Sequence, residues 1–171
     1  MNAQPLRIAI LMEATRASGP VRNLLYALAL LRDECEFRFF TYRRPGDVRS
    51  EFVAVLEDEG YAVEAIEEAG PFDPRAPIRL CRLLAEMDPD VVQVHNTKSR
   101  LFTLLCAAAG RLERGKLLFF FHGETWVDAK QGWYNRLDRH LLRRAPEVAV
   151  VSPYQAGLLE SWGVPRDRIR V

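Results

Sequence analysis

Lys116-Leu-Leu-Phe-Phe-Phe-His-Gly-Glu-Thr-Trp126 holds five apolar residues, 117–121, in a run that stops at His122-Gly123. An unbroken run of that length suits a strand buried on both faces, as in a parallel sheet covered by helices. The chain then turns, within one residue, to an imidazole, a glycine, a carboxylate and a hydroxyl. Ligands of open α/β sheets bind in the crevice beyond the carboxyl ends of the strands. His122 is expected at that edge.

Outward from this strand the pattern repeats. Upstream, 91–95 reads as a strand followed by Asn96-Thr-Lys-Ser99 and an apolar helix over 101–109. Downstream, a loop with Trp126 leads to a helix over 133–144, a strand over 148–152 and a short helix over 153–162. Nearer the start, 6–12 is a strand and Glu13-Ala-Thr-Arg-Ala-Ser-Gly-Pro20 a loop. A helix begins near Pro20, a residue suited to a first turn, and Leu24, Leu25, Leu28 and Leu31 give it a buried face. Residues 37–42 form a second strand, and Ser50 caps a helix to Glu59 that Gly60 ends. A third strand at 61–66 and a proline-rich loop at 70–77 precede a helix over 78–87. Ile169-Arg-Val171 starts a further strand with no room to finish. Such alternation suits right-handed β-α-β crossovers. The expected fold is a doubly wound, mainly parallel α/β sheet with helices on both faces, Rossmann-like, in one domain over 1–171.

Composition narrows the class. With 49% hydrophobic residues in 171, the chain can bury a sizeable core. No apolar stretch approaches the ~20 residues of a membrane span, and because the start runs straight into a strand no secretory leader is expected. Cys35, Cys81 and Cys106 lie far apart with no Cys-x-x-Cys pair, so reduced, mostly buried thiols and a cytoplasmic location are expected. Residues 1–90 carry 11 basic and 16 acidic side chains, and residues 91–171 carry 13 and 7, so net charge runs from −5 to +6. Solvated helix faces explain that; so does a basic surface for a phosphorylated ligand or an anionic membrane. Arg136, Arg139, His140 and Arg143 share one face of the helix over 133–144, opposite Trp133, Leu137 and Leu141. Peripheral contact at the inner membrane face is the corresponding alternative.

Several chemistries are excluded. The first loop has only Gly19 where a dinucleotide site needs G-x-G-x-x-G, and Tyr42-Arg-Arg44 lacks the acidic ribose partner. There is no P-loop, and Ser152 in Val-Val-Ser-Pro-Tyr lacks the glycines of a nucleophile elbow. His95, His122 and His140 lack metal-ligand spacing and two stand on different strands, so no metal site is expected. No nucleic-acid partner is expected either.

Asp90-Val-Val-Gln-Val-His95, Lys116 to Gly123, Glu147-Val-Ala-Val-Val-Ser-Pro153 and Gly163-Val-Pro-Arg-Asp-Arg-Ile-Arg-Val171 follow one another in order. With them the chain resembles the N-terminal half of glycosyltransferase family 4, retaining enzymes of two facing Rossmann lobes (the GT-B fold). The resemblance implies that this lobe mainly binds the acceptor, saccharide or lipid-linked, while a C-terminal lobe absent from this chain holds most of the nucleotide-sugar. It implies that His122 reaches the donor sugar as the catalytic residue. Ser18, Gly19 and Pro20 would lie near the donor phosphates, although Pro20 stands where the family often has glycine and removes a backbone donor. Asn96, Thr97, Lys98, Gly123, Glu124 and Ser152 would face the same cleft, with helix capping the alternative for Asn96 and Thr97. Neither a cofactor nor a metal is implied. Half of an enzyme, inactive alone, is the expectation; a non-catalytic Rossmann-like module recruiting a partner or a membrane surface is the alternative.

Overall fold

The computed structural model describes residues 4–16, 19–71, 73–124 and 129–171, and of Pro20, Ala129, Lys130 and Gln131 only the backbone. Seven strands, all parallel, lie in the order β3-β2-β1-β4-β5-β6-β7. They are β1 Leu6–Leu11, β2 Cys35–Arg43, β3 Ala62–Glu67, β4 Val91–Val94, β5 Leu117–Phe121, β6 Glu147–Val150 and β7 Ile169–Arg170. The helices between them are α1 Gly19–Leu30, α2 Glu51–Asp58, α3 Ala76–Met87, α4 Thr97–Ala108, α5 Ala129–Leu142 and α6 Pro153–Ser161. The doubly wound expectation holds. Chain order reverses direction between β1 and β4, which is where such sheets open a crevice. The two residues of β7 pair with β6, so the last segment completes a seventh strand despite its length.

Strand alternation splits the core in two. Ile8, Ile10, Phe37 and Phe39 meet Val21 and Leu28 of α1 and Phe52 and Leu56 of α2. Ala9, Leu11, Val92, Val94, Phe119 and Phe121 meet α3 and α4 through Leu80, Leu84 and Phe102, and α6 through Leu159. Each large side chain buried in this way stabilises by about 2 kcal/mol. Ser50 caps α2, its Oγ accepting from Val53 N at 3.2 Å.

Some expectations need correction. Leu31 lies beyond α1 and is exposed, because the helix ends one residue earlier. α4 begins at Thr97, four residues before its apolar stretch, because Asn96 supplies a cap. β5 is fully buried on one face only: Leu118 and Phe120 are half-covered, since α1 and α2 reach over β1 to β3 and not over β5. The thiols are not all reduced. Cys81 of α3 and Cys106 of α4 form a disulfide with Cα atoms 5.8 Å apart, and Cys35 alone is free. Their 25-residue separation hides the fact that consecutive crossovers lay α3 and α4 side by side on one face. The bridge also removes the thiol argument for a cytoplasmic location. Among the described residues no helix is long and apolar enough to cross a membrane. The loop with Trp126 lies outside the described residues.

Candidate active site at the carboxyl edge of the sheet

Because the strands run in one direction, the residues that follow them line one edge. Glu13 follows β1, Arg44 β2, Glu68 β3, His95 to Lys98 β4, His122 to Glu124 β5 and Ser152 β6. The helices that start there present unbonded backbone N–H groups and the positive end of the helix dipole to the same crevice.

His122 and His95 come together. Val94 pairs with Phe119, so His95 stands level with Phe120, and His122 projects from the same face two residues on. The three rings stack: His95 to Phe120 at 4.7 Å between centroids, His95 to His122 at 5.2 Å. Nδ1 of His95 lies 2.9 Å from Nε2 of His122. His95 is buried, and loss of water around its ring, then the charges of His122 and Arg100, push its pKa down to about 3. His122 can be reached from solvent yet is crowded by its neighbours; desolvation, then Arg100, lowers its pKa too. Both rings are neutral at pH 7. Standing on different strands does not separate these histidines, because the strands are sheet neighbours.

Gly123 adopts φ +100°, a conformation open to glycine, and a Cβ there would meet Gln155 Nε2 of α6 at 3.7 Å. Glu124 accepts two bonds of 2.6 Å from Arg139 of α5, whose guanidinium also lies 4.5 Å from the centre of the Trp162 ring. That pair ties the loop after β5 to α5, and with Arg143 donating to Trp162 O it engages part of the basic helix face in contacts within the domain. Ser152 caps α6, accepting from Gln155 N at 3.3 Å.

On the β4 side, Asn96 caps α4 through Oδ1 and Ser99 N at 2.9 Å, while its buried Nδ2 has no partner among the described residues. Thr97 does not cap; its hydroxyl donates to Asp138 of α5 at 2.9 Å. Lys98 is nearly buried, 3.0 Å from both Glu13 and Glu68, with its ammonium 3.8 Å from the centre of the Tyr42 ring. Gly19 is the first residue of α1 and Pro20 the second; Ser18 lies outside the described residues.

Three residues of this edge escaped the sequence reading. Glu68 is 2% exposed, and one of its oxygens takes both Arg44 and Lys98 at 3.0 Å. Arg100 is buried, pairs with Asp138 and donates to Phe120 O. Tyr42 bonds Ser99 Oγ at 3.0 Å, and burial raises its phenol well above the usual range. Nothing in Glu67-Glu68 marks Glu68 as the buried member, and nothing in Ser99-Arg100 marks both as buried. A cavity of about 290 Å³ beside this network is lined by Glu13, Arg44, Pro71, Asn96, Lys98 and Tyr134 among others. A second, of about 470 Å³, opens between Glu13, Tyr42, Arg44 and Ser50. The arrangement offers polar side chains and helix N-termini around one opening, suited to a hydroxyl-rich ligand with an anionic part.

Comparisons with known proteins agree with this geometry. The crystal structure of the Anabaena protein HepE in complex with UDP matches with a TM-score of 0.74 at 15% identity, covering 97% of this chain and 43% of that one. Sucrose-phosphate synthase from Thermosynechococcus elongatus gives 0.67 at 16%, covering 96% and 47%. The lipopolysaccharide outer core galactosyltransferase WaaB, in its apo form, gives 0.66 at 12%, covering 97% and 45%. UDP-N-acetylglucosamine 2-epimerases share the fold as well, one at 0.69 and 15%, covering 98% and 48%. The chain thus spans less than half the length of these structures, and at such identities they establish the fold alone. No curated protein matches the sequence. Residues 19–171 match the family described as "Glycosyl transferase 4-like domain". Strand order, crevice and sequence match converge, and the chain belongs to the glycosyl transferase 4-like domain family, with the fold of one lobe of a GT-B enzyme.

Proposed function

We propose that this chain is the N-terminal lobe of a retaining glycosyltransferase that moves a sugar from a nucleotide-sugar to an acceptor, this lobe mainly binding the acceptor. The observation that carries the reading is His122-Gly123 at the carboxyl edge of β5, held between the N-termini of α4 and α6. Structures of the same fold hold UDP, or UDP and glucose, which supports a uridine diphosphate sugar as the first donor to try. Transfer builds positive charge on the sugar and negative charge on the leaving diphosphate. Helix N-termini and hydrogen-bond donors stabilise the negative charge on the diphosphate without a metal. A neutral His122 positions the sugar; Asn96 Nδ2 and Gly19 meet ligand oxygens with Ser18 as a further binding residue, and Lys98, Glu124 and Ser152 shape the opening through their own partners. The acceptor is a saccharide or a lipid-linked saccharide, and a C-terminal lobe supplies most contacts to the nucleotide.

The test uses the protein that carries this chain together with a C-terminal lobe. His122 bonds only His95 among the described residues, so His122→Ala should lose about 1 kcal/mol of stability. Turnover of a labelled UDP-sugar should fall roughly a hundredfold, the loss of one transition-state contact of about 3 kcal/mol. Full activity in the variant, or no transfer by the parent with any sugar nucleotide, would overturn the reading in favour of a binding module.

A further inference from the structure

We propose that His95 is a positioning residue that locks His122 into the tautomer bearing its proton on Nδ1, so that His122 meets its ligand as a neutral hydrogen-bond donor and not as a base. The functional importance of the lock rests on the transfer reading above; the lock itself does not.

The bond between His95 Nδ1 and His122 Nε2 contains one proton when both rings are neutral. If His122 donates, the proton of His95 must sit on its Nε2. That atom is buried and has no partner among the described residues, so the arrangement strands a buried N–H. If His95 donates, the same atom carries a lone pair instead. Arg100 decides between the two. Its guanidinium reaches the carbonyl of Phe120, on whose ring His95 stacks. A nearby cation favours a lone pair over an N–H dipole pointing into the same space. Moreover, Nε of Arg100 is itself a buried donor without a partner. With His95 protonated on Nδ1, the two orphaned atoms are a donor and an acceptor, which one water can satisfy together. With the other tautomer they are two donors, and each needs its own acceptor. The first arrangement is the stable one.

The consequence runs outward through the bond. Nε2 of His122 accepts from His95 and cannot carry its own proton, so the proton resides on Nδ1. That nitrogen has no partner among the described residues, which makes the unsatisfied edge of His122 a donor. It suits an oxygen of a sugar or phosphate, and it cannot remove a proton from an acceptor hydroxyl. The stack on Phe120 keeps the His95 ring, and with it the direction of the bond, from turning.

Long-range 1H–15N spectra of the 171-residue chain labelled with 15N-histidine read this directly, and three histidines make assignment simple. At pH 7 both His95 and His122 should carry the proton on Nδ1. His95→Asn, whose side-chain amide keeps a donor near the same place, should preserve that pattern at His122. His95→Phe keeps the stack without the donor and should return His122 to a mixture dominated by Nε2–H. A wild-type His122 protonated on Nε2 overturns the proposal, as does a His122 unchanged in His95→Phe; should that variant not fold, the wild-type spectrum alone decides. In the two-lobed protein, His95→Phe should lower kcat roughly tenfold or more with KM within about twofold, and His95→Asn should stay within about threefold. An unaltered kcat in His95→Phe removes the positioning role. Absence of transfer by the parent protein would instead count against the transferase reading, with the tautomer answered by the spectra.

Discussion

Acid should destabilise this fold through one buried ring well before its carboxylates titrate. His95 is 7% exposed, and burial is the main reason its pKa lies at about 3. In the unfolded chain a histidine titrates near 6.5. Between those values the unfolded state binds a proton that the folded state refuses. Stability is therefore complete above about pH 6.5 and falls as pH drops, by about 1.4 kcal/mol per unit for one proton. From pH 7 to pH 5 the loss comes to about 2 kcal/mol, or roughly 4–8 °C in Tm for a domain of this size. His122 is lowered by burial and by Arg100, so it adds to the slope with the same sign. Asp73, held low by the N–H groups of Ala69 and Arg75, and Asp88, held low by hydrogen bonds from Arg7 and Lys116, lose their protons at still lower pH than ordinary carboxyls. They leave the interval from pH 7 to pH 5 to the histidines. Urea unfolding at the two pH values, on the wild type and on His95→Asn, measures the effect. The variant should keep less than about half of the pH dependence. A wild type equally stable at both values, or a variant with an undiminished slope, would refute the argument.

Glu68→Ala should cost about 3 kcal/mol in urea unfolding, because it leaves Lys98 and Arg44 buried or half-buried beside each other without their shared carboxylate; a loss below about 1 kcal/mol would mean that solvent reaches this edge freely. Arg100→Met alone should destabilise by about 3 kcal/mol, and Arg100→Met with Asp138→Leu by clearly less, since the double change leaves no unpaired buried charge; additive losses would contradict that. Reducing the bridge between Cys81 and Cys106, which closes a loop of 25 residues, should remove about 3 kcal/mol. Calorimetry with and without dithiothreitol reads the change, and ready alkylation of all three cysteines without reductant would show that the bridge does not form.

Periodicity and punctuation determined the fold class without coordinates. The apolar run at 117–121, the leucine spacing after Pro20 and the cap at Ser50 are local signals, set by the pleat of a strand, the pitch of a helix and the unbonded N–H groups at its start. They were enough to place His122 and Gly123 at the end of a central strand and to bring Asn96 and Ser152 to the same edge. What the side chains do there was a different matter. Partnerships across the sheet depend on strand order and register, and neither is written in any one segment. Only the neighbouring of β4 and β5 brings His95 to 2.9 Å from His122, a pair 27 residues apart in sequence. Only the packing of α3 on α4 joins Cys81 to Cys106, and only the crossover from β3 to β4 buries Glu68 between Arg44 and Lys98. A short-range pattern reports how a segment wants to bury its own surface. Which distant group then satisfies a buried charge or a ring nitrogen is decided by the three-dimensional neighbours, because desolvation makes that pairing necessary and the folded topology alone supplies the partner.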